Sequence, residues 1–256
     1  MKKKYRFKPR FFVIIAIFLV LVLSISSCAI NKISDSAAEK AAKKAEQQKA
    51  QQKSEDRAAQ LKIDGNNGLF ILVNKQNTVE DWYVPADLVT IERHYAVDRE
   101  EQCRYMRAEA AEAFLKLADD AEAQGIEIVM TTAYRSYNYQ NVLWTNAVAR
   151  YGSEESANTI SARPGQSEHQ TGLAVDISSG EIGYSLEQNF GDTAAGQWVA
   201  QHAHEYGFIL RYGKDKEAIT GYVFEPWHLR YVGKTAAAEI NQSGLALEEY
   251  LEQLEL

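Results

Sequence analysis

Ser167-Glu168-His169-Gln170-Thr171-Gly172-Leu173-Ala174-Val175-Asp176-Ile177-Ser178 is the stretch on which the reading of this chain turns. It sets an imidazole and a carboxylate seven residues apart across a glycine, in a segment too apolar for ordinary surface loop. On one unbroken strand an odd offset would put His169 and Asp176 on opposite faces, because side chains alternate with period two. Gly172 supplies the break, since glycine tolerates backbone angles that other residues avoid. Beyond it, Leu173, Val175 and Ile177 alternate with Ala174 and Asp176, the pattern of a strand with one apolar and one functional face. Only the small Ala174 then stands beside Asp176, which leaves room for a metal and a substrate. The stretch reads as half of a zinc site.

The other half lies among the remaining histidines, His94, His202, His204 and His228. His228 closes Glu225-Pro226-Trp227-His228, where Pro226 forbids a regular helix interior and permits a bent, extended path. With His169 and Asp176 it completes two imidazoles and one carboxylate, leaving a fourth position for water, as catalytic rather than structural zinc requires. Glu225 is close enough to take a proton from that water and hand it to a leaving amine; the alternative makes it the hydrogen-bond partner of a ligand histidine. His202 and His204, two apart on a predicted helix, face different ways and make no second site.

Around these motifs the pattern predicts helices over residues 99–124, to about Tyr151, and from about Thr193 to Tyr206. The first carries Cys103, Met106, Ala110, Ala113, Leu117 and Ala121 at three- and four-residue steps, with Gly125 at its C-terminal cap. Short strands are predicted at residues 69–73, 126–132, 208–211, 222–224 and 229–232, and helical segments broken at Gly244 over 235–254. Helices and strands mix without regular βαβ alternation, which predicts an α+β domain with a largely antiparallel sheet. Arg135 falls where a strand hands over to a helix, a usual place for functional side chains.

Composition divides the 256 residues into three parts: an export signal or membrane anchor (1–27), a spacer (28–67) and the domain proper (68–256). Residues 2–10 are cationic and Phe11 to Ile25 apolar, the layout of an export signal. Ile25-Ser26-Ser27-Cys28 resembles a bacterial lipobox, in which the cysteine is lipidated; an uncleaved anchor or free secretion are the alternatives. Each puts the bulk of the chain outside the cytoplasm. The Ala, Lys, Glu and Gln of the spacer cannot bury a core, so it is expected to be disordered or intermittently helical. Losing the six positive charges of residues 1–27 takes the formal net charge from -7 to -13, which argues against nucleic acid as a partner. With Cys28 in the export segment, Cys103 has no partner for a disulfide inside the domain.

The two motifs together, Ser167 to Asp176 and Glu225-Pro226-Trp227-His228, resemble the signature of VanY-type zinc D-alanyl-D-alanine carboxypeptidases and their LD-carboxypeptidase relatives. Leu72-Val73-Asn74-Lys75, Tyr134-Arg135-Ser136 and Ile219-Thr220-Gly221-Tyr222 extend the likeness over most of residues 69–233. The resemblance implies a hedgehog/DD-peptidase-like zinc fold, Zn2+ held by His169, Asp176 and His228, and Glu225 as general base. It implies removal of the terminal D-alanine from a peptidoglycan stem peptide. Arg135 would polarise the scissile carbonyl or hold the substrate carboxylate, with Gln140, Ser167 and Tyr212 lining the pocket. An endopeptidase and a catalytically silent wall-binding module are the rival readings, and the sequence leaves pentapeptide against tetrapeptide open. No protein partner is implied.

Overall fold

The computed structural model describes residues 40, 42–96 and 100–254, so the expected export segment and Cys28 lie outside the described residues. Contacts divide the chain into two units, Met1–Ala58 and Ala59–Leu256. In the first, residues 42–58 form an exposed helix, tied by side-chain bonds from Gln51 to Glu55 and Gln52 to Asp56. Its composition builds no core but favours helix at most positions, Ser54 and Asp56 being the exceptions. The second unit opens on helical residues 59–66, where Leu61 is buried with Ile209, Val232 and Ile240, ahead of the change in composition at Gly68. Among the described residues no helix is long and apolar enough to cross a membrane.

Strands β1 (Leu88–Thr90) and β2 (Tyr105–Arg107) pair antiparallel, and β2 runs straight into α1 (Ala108–Glu122). The single helix predicted over 99–124 is therefore three elements: a 3-10 turn (Glu101–Arg104), β2 and α1. Cys103 and Met106 are buried as expected, but from the turn and the strand. Each of the three elements buries apolar side chains, Cys103 from the turn and Met106 and the α1 face in the main core, so the apolar spacing runs through their junctions and hides them. The buried face of α1 is Ala110, Ala111, Phe114, Leu117, Ala118 and Ala121. Past its end Gly125 takes φ 78°, and the Ile126 amide donates back to the Ala121 carbonyl, closing the last turn.

After α1 come β3 (Val129–Thr132), α2 (Tyr137–Tyr151), β4 (Ala174–Ser178), α3 (Ala194–His202), β5 (Phe208–Tyr212) and β6 (Glu225–Tyr231). Helices α4 (Lys234–Ser243) and α5 (Leu247–Gln253) follow on either side of Gly244. Strands β3–β4–β6–β5 form one sheet in that order with every pair antiparallel, the α+β arrangement expected. Two predicted strands do not form. The carbonyls of Leu69 and Ile71 are taken by the buried guanidinium of Arg230, at 2.9 and 2.7 Å, so a side chain and not a ladder holds residues 69–73. Tyr222 is caught in a turn through the Thr220 hydroxyl, and its strand begins only at Glu225.

Alternation sorts the two faces of the sheet. Val175, Ile177, Phe208, Leu229 and Tyr231 share the main core with Phe114, Leu117, Trp198 and Val199. The other face carries Asp176, His228, Arg230 and Arg211, with Asp176 registered against His228 and Ala174 against Arg230. Function thus occupies one side of a sheet whose opposite side is ordinary apolar packing.

Candidate active site

Gly172 makes the bend that the odd spacing demands. It ends the 3-10 turn Glu168–Thr171 at φ 68°, and β4 starts two residues later. A Cβ there would lie 2.8 Å from Leu88 Cδ2 and 3.1 Å from Arg107 Cγ, so space as well as backbone angle requires glycine. His169 comes off the turn and Asp176 off the strand, and both are buried.

The hydrogen bonds assign the imidazole nitrogens. Nδ1 of His169 lies 2.6 Å from the Ala133 carbonyl, to which it must donate, so Nε2 carries the lone pair. That Nε2 is buried with no hydrogen-bond partner, 3.3 Å from Asp176 Oδ2. Nδ1 of His228 lies 2.9 Å from Asp176 Oδ1, while its Nε2 faces Glu168 Oε2 at 3.4 Å. With Glu168 taking the Nε2 proton, Nδ1 is the His228 atom left for a metal. One donor atom each from His169, Asp176 and His228 lies within 4.8 Å of the other two. A buried lone pair without a donor is costly unless a cation satisfies it. Two imidazole nitrogens and a carboxylate oxygen are donors suited to Zn2+.

A second group, His94, Asp119 and Glu122, is also close enough to hold an ion, but the Arg93 guanidinium already occupies both Asp119 oxygens.

Burial sets the electrostatics. It lowers the His169 pKa to about 4, helped by nearby Arg135, so this imidazole is neutral at physiological pH. Burial also opposes charge on His228, but the bonds to Asp176 and Glu168 outweigh it and raise the pKa to about 9. Desolvation pushes Asp176 upward, and the two histidines hold it well below the usual carboxylate range. Glu225 is different: desolvation dominates and lifts it from 4.5 to about 7, with His228 and Arg135 pulling only partly against this.

The charges that act on Glu225 are His228, Asp176, Arg135 and Glu168, which puts it at the donor cluster. A regular strand would turn Glu225 and His228 to opposite faces, three residues being an odd step. The β5–β6 register shifts between Leu210 and Tyr212, Glu225 pairs with Tyr212, and the irregularity re-aims the side chains. Tyr212 accordingly stacks on the His228 ring, centroids 4.8 Å apart. Arg135 is fixed by its amide to the His169 carbonyl at 3.2 Å, and its Nε is buried with no partner. Gln140 is buried on α2, but its amide nitrogen is committed to the Ala162 carbonyl at 2.8 Å. Ser167 is buried next to the His169 turn, and no side-chain hydrogen bond ties it to the cluster.

Sequence reasoning missed the support beneath these residues. Glu168 accepts from Arg211 Nε at 2.7 Å and from Arg230 at 2.8 Å, and Arg211 also forks onto Glu248 of α5 at 2.8 and 2.6 Å. The available signal was an arginine inside each of two strands, Leu210-Arg211-Tyr212 and Leu229-Arg230-Tyr231, because a charge at a strand interior needs a buried partner.

Residues 103–234 match the family described as VanY, D-alanyl-D-alanine carboxypeptidase. This chain belongs to that family. The VanY-family chain is 46% identical over 192 residues to YodJ of Bacillus subtilis (strain 168), covering 75% of itself and 70% of that protein. Among solved structures it resembles the LdcB LD-carboxypeptidase, with TM-score 0.67 and 49% identity over 71% of this chain and 84% of that one. It also resembles a D,D-pentapeptidase VanY from a VanB-type resistance cassette solved with Zn(II), with TM-score 0.60 and 34% identity over 71% of this chain and 98% of that one. Its donor set and its VanY-family membership agree on a zinc carboxypeptidase.

Proposed function

We propose that this protein removes the C-terminal D-alanine from peptidoglycan stem peptides, using Zn2+ held by His169 Nε2, an Asp176 oxygen and His228 Nδ1. The observation that carries the reading is the orphaned, buried His169 Nε2 converging with Asp176 and His228 beside a carboxyl pushed up to about 7. Zinc supplies Lewis acidity, polarising a carbonyl and acidifying a water molecule. Glu225, whose raised pKa suits proton transfer near neutrality, takes the proton as the water oxygen bonds to the carbonyl carbon. It returns that proton to the amine of the departing D-alanine as the C–N bond breaks. The free Nε of Arg135 is available to a substrate oxyanion, either the terminal carboxylate or the one that develops at the scissile carbonyl. Ala133 and Glu168 hold the two imidazoles in the tautomers the site needs.

The same reading puts the domain outside the cytoplasm, where such peptides are. It takes residues 1–27 as the export segment and Cys28 as the lipid attachment point; mass spectrometry of the mature N-terminus for a diacylglycerol-modified Cys28 tests this.

For the activity, defined stem pentapeptide and tetrapeptide are incubated with the purified zinc protein and followed by mass spectrometry. One alanine should leave at least one of them, and both a chelator and Glu225→Gln should stop it. Cleavage indifferent to chelator and variant would end the reading, and a cut inside the stem would make the protein an endopeptidase.

A further inference from the structure

Two segments singled out in the sequence, Leu72-Val73-Asn74-Lys75 and Ile219-Thr220-Gly221-Tyr222, take no part in holding the metal, yet they meet. Lys75 Nζ donates to the Gly221 carbonyl at 2.6 Å and to the Asn158 carbonyl at 2.8 Å, and lies 4.5 Å from the centre of the Tyr222 ring. The Tyr222 ring packs on Tyr212 at 4.7 Å, and Tyr212 packs on His228 at 4.8 Å. Three rings therefore run in a row outward from the metal centre.

At the end of that row Tyr222 is only 5% exposed, and its hydroxyl finds no hydrogen-bond partner among the described residues. A buried phenol hydroxyl ordinarily has one, because leaving it unpaired is expensive. Burial first, and then Glu225 and Glu168, push its pKa up, so the hydroxyl keeps its proton and remains a donor. Glu225 and Arg135 are among the charges that act on it, and the Nε of Arg135 is orphaned as well. Two unmatched donors thus lie within electrostatic reach of one another and of Glu225.

We propose that the Tyr222 hydroxyl is a substrate-binding group that donates a hydrogen bond to an acceptor oxygen of the stem peptide, and that Lys75 is a positioning residue holding Tyr222 in place. The first claim rests on the peptidase reading above. The lysine ties the Gly221 carbonyl, next to Tyr222, to the Asn158 carbonyl of another segment, and its ammonium sits against the ring face.

The test separates this inference from the reaction itself by reading equilibrium binding. Calorimetry measures a stem pentapeptide and a tetrapeptide against zinc-loaded Glu225→Gln protein, with and without Tyr222→Phe, while wild-type hydrolysis is assayed apart. Tyr222→Phe should weaken binding of the better peptide roughly 10- to 100-fold, the range of one hydrogen bond to a charged or strongly polar acceptor, with zinc content and melting temperature unchanged. A C-terminal amide version of the peptide locates the acceptor: a penalty that disappears assigns the terminal carboxylate, and one that persists assigns a backbone carbonyl. Lys75→Met should weaken binding too, yet add nothing on top of Tyr222→Phe. Binding within twofold of the parent, no binding even with Tyr222 intact, or loss of zinc from the phenylalanine variant each overturns the Tyr222 assignment. Additive effects of the two substitutions overturn that of Lys75. If binding falls as expected while wild type cleaves neither peptide, the reaction is wrong and the Tyr222 site stands.

Discussion

Three carboxyl groups share one small volume, and their neighbours give them different work. Asp176 is held ionised by two histidines and is a proposed ligand; Glu168 is held ionised by Arg211 and Arg230 and is a support. Glu225 has no arginine bonded to it among the described residues, and desolvation leaves it titrating at about 7. A base must be ionised to act, so kcat/KM should rise with pH along a limb at or below 7, the charge of bound zinc drawing it lower. The pH profile checks this, and the limb should be absent from the residual activity of Glu225→Gln. The same shift carries a stability cost. A carboxyl with a folded pKa of about 7 and an ordinary value of 4.5 favours the folded state fully below 4.5, and that contribution is lost as pH rises through 7. Metal-free Glu225→Gln should therefore be more stable than metal-free wild type above pH 7, by up to about 3 kcal/mol in urea titrations, and no more stable at pH 4.

Among the elements, the turn-and-strand unit from Glu168 to Ser178 does most to create the site, because it carries two ligands and one support. Its weak point is Gly172, where an alanine would need a positive φ and meet Leu88 and Arg107. Gly172→Ala should cost about 1–3 kcal/mol of stability and loosen zinc as well, since it sits between two ligands; thermal melts and metal titration read the two effects. The second dependence is on β5 and β6, which deliver Arg211 and Arg230 to Glu168, and on α5, whose Glu248 holds the far side of Arg211. Glu168→Gln leaves two fully buried guanidinium groups short of countercharge and should cost about 3–5 kcal/mol, the range for breaking a buried ion pair. It also weakens the acceptor that keeps His228 Nδ1 free, so zinc affinity should fall about 10- to 100-fold in a competition titration.

At the scale of the whole molecule, the proposed metal would join segments about sixty residues apart in the chain, from His169 to His228. Removing it should lower the melting temperature by about 10 °C, and added Zn2+ should restore it, as expected for a ligand that binds only the folded state at high saturation. Differential scanning calorimetry with chelator and then zinc reads this. The residues that converge as candidate ligands were legible from sequence because their logic is local: alternation along β4, a glycine that breaks it, and a proline that excludes a helix at His228. The start of α1 was not legible, because a turn, a strand and a helix that each bury apolar side chains leave a spacing that does not show where one ends. The order of residues by itself determined the α+β class and marked out the candidate ligands His169, Asp176 and His228 from patterns over a few neighbouring positions, while Glu225 as the base candidate came mainly from the resemblance of its motif to a known family. Only the tertiary structure decided which nitrogen of each histidine faces the metal, that Glu168 bridges two buried arginines, that a register shift turns Glu225 and Tyr212 to the working face, and that Lys75 reaches Tyr222. Those depend on which distant backbone closes over each side chain and removes it from water, and spacing along a chain carries no record of that.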